Sequence, residues 1–158
     1  LHSPDQKNAT VPLPGDFMNS SYQLQLSIRR QQPREFLGVF LPVGTRQTGF
    51  VIDGYSTAGG RSGLHLLDGN TAMYDPKTVE GKQIKDDGPH QLDLVVIHSG
   101  LTSEIIIQLD SRPLYRWEGP TSSLSMSPRI PGVAPGQINL GSHYAEWIVT
   151  ELRVRRLP

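Results

Sequence analysis

The sequence predicts an all-β fold, a two-sheet antiparallel sandwich, and three observations carry that reading. Apolar residues recur at every second position through most apolar segments, the period of a strand with one buried face. The chain holds 16 glycines and 13 prolines, a punctuation load that suits many short strands joined by turns. The 3.6-residue spacing of an amphipathic helix fails at nearly every segment, and β-branched residues cluster where the spacing is regular. At 158 residues the chain fits one domain, residues 1–158, with a single core.

The elements follow in order. Tyr22, Leu24, Leu26 and Ile28 share one face of a strand whose other face carries Gln23, Gln25, Ser27 and Arg29. A polar turn is expected from Arg30 to Arg34. Glu35 to Leu41 then reads apolar on both faces, as a central strand covered on both sides would. Gln47 to Asp53 and Ser62 to Leu67 are two further strands. Between them Gly54 to Gly60 holds three glycines in seven residues, a loop rather than a helix.

The stretch from Thr71 to Asp87 is polar and weakly patterned, with a short strand expected near Val79 to Ile84 and a tight turn at Asp86-Asp87-Gly88-Pro89. His90 to His98 and Ser103 to Leu109 are adjacent strands, and Asp110-Ser111-Arg112 turns into a return strand, Pro113 to Trp117. Thr121 to Gly136 is a long Ser-, Pro- and Gly-rich loop. Gln137 to Leu140 and Glu146 to Leu157 close the domain, for about ten strands and no helix.

Composition narrows the partners. Lys plus Arg and Asp plus Glu both number 15, so no net field draws the domain to nucleic acid. Arg153 and Arg155 alternate with Val154 and describe the wet face of a strand rather than a basic patch. No apolar run approaches the roughly 20 residues needed to cross a bilayer, so membrane insertion is not expected. The chain has no cysteine, which removes disulfides and thiolate chemistry. Asn8-Ala9-Thr10 and Asn19-Ser20-Ser21 match a glycosylation sequon and speak only for surface exposure. A start at Leu1 rather than Met suits a piece of a larger multidomain protein, with other domains of the same chain as partners.

Two passages resemble the concanavalin A-like lectin and glucanase superfamily, including laminin G-like domains and the related domains of 3-keto-glycoside hydrolases. They are His90 to Val96 after a Gly-Pro turn, then Ile105 to Tyr115, and Gln137 to Ser142 followed by Ile148 to Val154. The segment from Phe50 to Gly69 is also similar to part of laminin G-like domains from large bacterial proteins. The resemblance spans roughly Tyr22 to Leu157 and implies a jelly-roll sandwich whose final strand lies beside the first. It departs from the usual pattern at Ser111, where Gly is common.

The resemblance also frames the chemistry. Glucanases of the superfamily carry an E-x-D-x-x-E pattern, because glycoside hydrolysis needs two carboxyl groups about 5 to 9 Å apart. That pattern is missing here. Asp53, Asp93, Glu104, Glu118, Glu146 and Glu151 are scattered one to a strand, so no catalytic set is assigned.

The densest polar and aromatic group is Asp53, Tyr55, Arg61, His65, Asp68 and Asn70. Such a mixture suits sugar recognition, since a ring stacks on the apolar face of a pyranose while charged and polar groups bond its hydroxyls. The same residues also fit an Asp-Arg surface ion pair beside a satisfied histidine. Trp117 ends a strand just before Glu118-Gly119-Pro120 and joins the candidates as a stacking ring, although core packing is the commoner fate of a tryptophan. No cofactor is expected. Structural calcium is compatible with the resemblance, but the five histidines are dispersed and point to no metal site.

The expected function is a non-catalytic carbohydrate-binding module of a larger bacterial protein, placed outside the cytoplasm, with a glycan or polysaccharide as partner. A 3-keto-glycoside hydrolase or lyase and a laminin G-like interaction module are the alternatives the sequence leaves open.

Overall fold

A computed structural model of the protein describes residues 1–3, 7–32, 35–130 and 132–158. Eleven strands are present among them: β1 (Ala9–Pro12), β2 (Tyr22–Gln32), β3 (Leu37–Val43), β4 (Arg46–Gly54), β5 (Arg61–His65), β6 (Val79–Glu80), β7 (Pro89–Ser99), β8 (Thr102–Leu109), β9 (Arg112–Pro120), β10 (Asn139–Ser142) and β11 (Glu146–Arg156). They form two antiparallel sheets, a six-stranded one in the order β1-β10-β3-β4-β5-β6 and a five-stranded one in the order β11-β2-β7-β8-β9. The final strand lies beside the Tyr22 strand, as expected.

The core lies between the sheets and follows the alternation of the sequence. Leu24, Leu26 and Ile28 of β2, Leu92, Leu94 and Val96 of β7 and Ile105 and Ile107 of β8 meet Val39 and Leu41 of β3 and Phe50 and Ile52 of β4. Tyr22 joins them with its hydroxyl donated to the Pro42 carbonyl at 2.9 Å. Burying an apolar side chain of this size stabilises by about 1.5–3 kcal/mol, so these positions carry the fold.

Four details depart from the sequence reading. The edge strand β1 was not expected, and Pro12 ends it where a missing N–H costs no central hydrogen bond. Strand β2 runs on to Gln32 where a turn was expected from Arg30; Pro33 and Arg34 lie outside the described residues. The expected Val79 to Ile84 strand is only Val79–Glu80. Two single 3-10 turns, Ser56–Ala58 and Thr121–Ser123, occupy loops expected to be free of helix, the first closed by Gly59 at φ 84°. The Asp110-Ser111 turn keeps the left-handed geometry of a two-residue hairpin loop, with φ 51° and 62°, despite serine in place of glycine.

The two outer faces differ. On the five-stranded sheet the outward residues are wet: Gln23 and Gln25 both donate to Asp93, and Arg155 donates to Gln23 at 2.7 Å. On the six-stranded sheet the outer face of the central strands is covered. Phe40 points away from the core, lies against Gly38, Gly49 and Gly141, and is only 1% exposed.

The cover is the segment after β9. Ser125 exchanges backbone hydrogen bonds with Leu66 beyond β5, Asn8 donates to the Arg129 carbonyl before β1, and Gly132 lies against Thr10 of β1. The segment therefore crosses the outer face from one edge to the other. A methyl at Gly141 would meet the Phe40 ring at 2.6 Å, so Gly141→Ala is expected to cost about 1–3 kcal/mol of unfolding free energy by urea titration. In a Phe40→Ala background the same substitution should cost much less. Equal costs in both backgrounds would refute this account of the glycine platform.

Candidate functional site

With the central strands covered, the outward polar and aromatic groups gather at the β5–β6 edge of the six-stranded sheet. In β5, Gly63 lies opposite Val51 and His65 opposite Gly49, so the alternation points His65 outward. Tyr55, at φ 57° just after β4, brings its hydroxyl to 3.1 Å from His65 Nδ1. Burial raises the Tyr55 phenol above its usual value, against a lowering pull from the Thr71 hydroxyl and the Met73 backbone. The next residue, Tyr74, is 77% exposed, an aromatic ring presented to solvent beside this cluster.

Arg61 and Glu80, register partners across β5 and β6, form an ion pair at 2.8 Å. Both ends of the pair keep contact with water, so it orients the guanidinium more than it stabilises the fold. Asp68, at φ 48°, and Asn70 are exposed on the turn closed by mutual hydrogen bonds between Leu67 and Asn70. The loop from Thr71 to Thr78 is held down by Asp75, which accepts from the Tyr115 hydroxyl at 3.2 Å and from the Lys77 amide. Burial, then the Asp75 carboxylate, pushes the Tyr115 phenol far up, so this contact is a neutral phenol donating to a carboxylate.

The structure sets Tyr55 against His65, places Arg61 at the other end of the same strand β5 and Asp68 and Asn70 on the turn beyond it, and leaves two predicted residues elsewhere. Asp53 is 2% exposed and does not meet Arg61. A bulge between Val51 and Gly54, with Asp53 at φ 56°, turns its carboxylate inward, where it accepts from Arg30 at 2.6 Å and from the Gln83 and Ile84 amides. Alternation alone would have placed it outside. Trp117 is 4% exposed and packs in the core, because β9 turns Tyr115 and Trp117 to the same inner face.

Sequence reasoning missed Tyr74, whose polar loop has no periodicity to flag it, and Arg30. The second was legible. Arg30 continues the inward phase of Tyr22, Leu24, Leu26 and Ile28, and a buried guanidinium demands an acid.

Among the described residues no three His, Asp or Glu side chains converge on one point, so the carboxylate cluster that calcium favours is not assembled. Glu104 and Glu118 are direct partners across β8 and β9, and Arg116 reaches both at 2.6 and 3.8 Å.

Known structures share the two-sheet fold. The galectin LEC-6 of Caenorhabditis elegans superposes with a TM-score of 0.52 at 11% identity, over 95% of this chain and 91% of its own. The exoplasmic/lumenal domain of VIP36, in a Ca2+ and Man3GlcNAc-bound form, gives 0.59 at 6% identity over 94% of this chain and 75% of its own. A legume lectin-like domain from Entamoeba histolytica gives 0.54 at 14% identity over 98% and 82%. The fold is the two-sheet sandwich of these galectin and legume lectin-like domains. No protein-family model matches the chain, and no curated protein matches it in sequence. Among the described residues of this lectin-like sandwich, no helix is long and apolar enough to cross a membrane.

Two tests separate the buried Asp53 from the groups of this edge. Asp53→Ala should destabilise the domain by about 3–5 kcal/mol, because it leaves the Arg30 charge buried without its partner. A loss below about 1 kcal/mol in a urea titration would sink the structural role assigned to Asp53.

The second test is the acid limb of stability. Burial lowers the His65 pKa, and burial likewise lowers that of His143. The unfolded chain then binds more protons below about pH 6.5, so stability is full above that value and falls as the pH drops toward the lowered folded values. His65→Gln should flatten part of that limb in urea titrations at a series of pH values. An unchanged slope would show that His65 takes no part in it.

Proposed function

We propose that this domain is a non-catalytic carbohydrate-recognition module that takes its glycan at the β5–β6 edge. The observation that carries the reading is the exposed Tyr74 ring beside Tyr55, whose hydroxyl meets His65. A ring open to solvent can stack on the apolar face of a pyranose, while Arg61, Asp68 and Asn70 supply donors and acceptors for its hydroxyls. Stacking and hydrogen bonding at one shallow edge is a recognition chemistry and needs no metal.

The fold shared with galectins and legume-type lectins supports the choice of ligand class, and the Man3GlcNAc bound to the VIP36 domain is an instance of it on that protein. The module works outside the cytoplasm or in a lumen, as part of a larger bacterial chain whose other domains are its neighbours. Catalysis is the weaker reading because the facing Glu104 and Glu118 carboxylates are both engaged by the Arg116 guanidinium, at 2.6 and 3.8 Å.

A glycan array followed by calorimetry with the best oligosaccharide tests this. Tyr74→Ala and Arg61→Ala should each weaken binding by about 1–3 kcal/mol, roughly 5- to 150-fold, with little change in melting temperature. Trp117→Ala should instead cost about 3–5 kcal/mol of stability, as a large core deletion does. An array with no hit, or a confirmed glycan bound equally well by both edge variants, would overturn the assignment.

A further inference from the structure

Strand β4 opens with Arg46 at one end of the sandwich and closes beside Tyr55 at the other. The Arg46 end holds an open cleft of about 410 Å³, the size of an ordinary small-molecule site. Thr45 and Arg46 reach it from the turn between β3 and β4, and Gly100 and Leu101 from the turn between β7 and β8. Pro120 to Ser122, after β9, close a third side, where the Thr121 amide donates to the Leu101 carbonyl at 2.9 Å. Asn19 comes from the approach to β2, with its amide on the Gly44 carbonyl.

His98, near the end of β7, is fixed in the wall between them. Its backbone N–H donates to the Ser21 hydroxyl at 3.0 Å, and Gly44 packs on the ring so closely that a Cβ there would come within 2.6 Å of it. Nδ1 lies 3.0 Å from the Ser103 hydroxyl, which lies 2.7 Å from that of Thr121. Both hydroxyl side chains are buried, so Nδ1 is held from the inside. The other ring nitrogen, Nε2, has no protein partner and is not closed off from solvent. When Ser103 donates to Nδ1, Nε2 carries the ring proton and is a donor.

Charge sets this cleft apart. Its wall holds a guanidinium and no carboxylate, whereas acids line the other polar clefts: Asp86 in one, Asp93 and Glu151 in another, Glu104 in a third. Arg30, Arg61 and Arg116 are each paired with an acid, but the exposed Arg46 has no acceptor among the described residues. A guanidinium presents a planar fork of donors that matches the two oxygens of a carboxylate. Asn19, Thr45 and Ser122 add amide and hydroxyl donors. Leu101, 89% exposed, and Pro120 offer hydrocarbon beside them.

We propose that this cleft binds a small organic acid, with its carboxylate on the Arg46 guanidinium and the His98 Nε2 side of the wall and its hydrocarbon against Leu101 and Pro120. The cleft and the glycan edge lie at opposite ends of β4, so neither reading rests on the other.

Benzoate, benzamide and acetate make the test. Benzamide keeps the ring and loses the charge; acetate keeps the charge and loses the ring. Each is titrated at constant ionic strength and near-neutral pH into the 15N-labelled domain. Benzoate should move the Arg46 Nε–H signal and the Gly100, Leu101 and Ser122 amides saturably. Benzamide should bind at least about 10-fold more weakly, and acetate about 3- to 10-fold more weakly. Arg46→Gln, an exposed change at the first residue of β4, should weaken benzoate by about 10-fold while the rest of the spectrum stays native. Leu101→Ser should bring benzoate down toward acetate. No saturable shift at these residues, benzamide or acetate binding as well as benzoate, or undiminished binding by the folded Arg46→Gln protein would each overturn the proposal.

Discussion

The buried ion pair between Arg30 and Asp53 constrains most of what surrounds it. Taking both charges out of water costs several kcal/mol per ion, and the cost is offset only if the remaining donors and acceptors are also satisfied. Asp53 meets that demand with the Arg30 guanidinium and the amides of Gln83 and Ile84. Arg30 meets most of it with Asp53, with the Ile84 carbonyl at 3.4 Å and with the Trp147 ring 4.8 Å away, while its buried Nε is left without a partner. One pair thus ties β2 of the five-stranded sheet to β4 of the six-stranded sheet, seats Ile84 in the core and packs β11 against both.

That constraint reaches the surface. The bulge that turns Asp53 inward also puts Tyr55 in a left-handed conformation two residues later, from which its hydroxyl meets His65. Fixing Gln83 and Ile84 brings the end of the loop beyond β6 back to the sheet, beside the Glu80 that pairs with Arg61. The groups at the candidate site are therefore positioned by a charge pair they do not touch.

The distribution of exposed chemistry follows from how the two outer faces are finished. The five-stranded sheet ends in a polar lattice of Gln23, Gln25, Asp93 and Arg155, which is satisfied within itself. The six-stranded sheet ends in a ring on three glycines, roofed by the chain between β9 and β10. The centre of the six-stranded sheet is covered, and its exposed aromatic and charged groups lie at its edges. The β5–β6 edge is polar and aromatic, with Tyr74 exposed.

By itself the sequence determined the fold class and most strands, because burial of one face imposes a two-residue period that survives without any knowledge of partners. Tyr22 to Ile28, Leu92 to Val96 and Ile105 to Leu109 were legible for that reason, and so was the double burial of Leu37 to Leu41. Of the candidate site, the neighbourhood of Tyr55, Arg61 and His65 was legible from the hairpin, while Asp53 and Trp117 were misplaced. A single left-handed residue reverses the phase of a strand end, and an aromatic near a loop carries no mark of which sheet face it takes. Tertiary structure alone decided that Arg30 rather than Arg61 holds Asp53, that the segment after β9 covers Phe40, and that Tyr74 stands free. Each of these is a pairing between residues distant in the chain, and local periodicity holds no information about which distant groups meet.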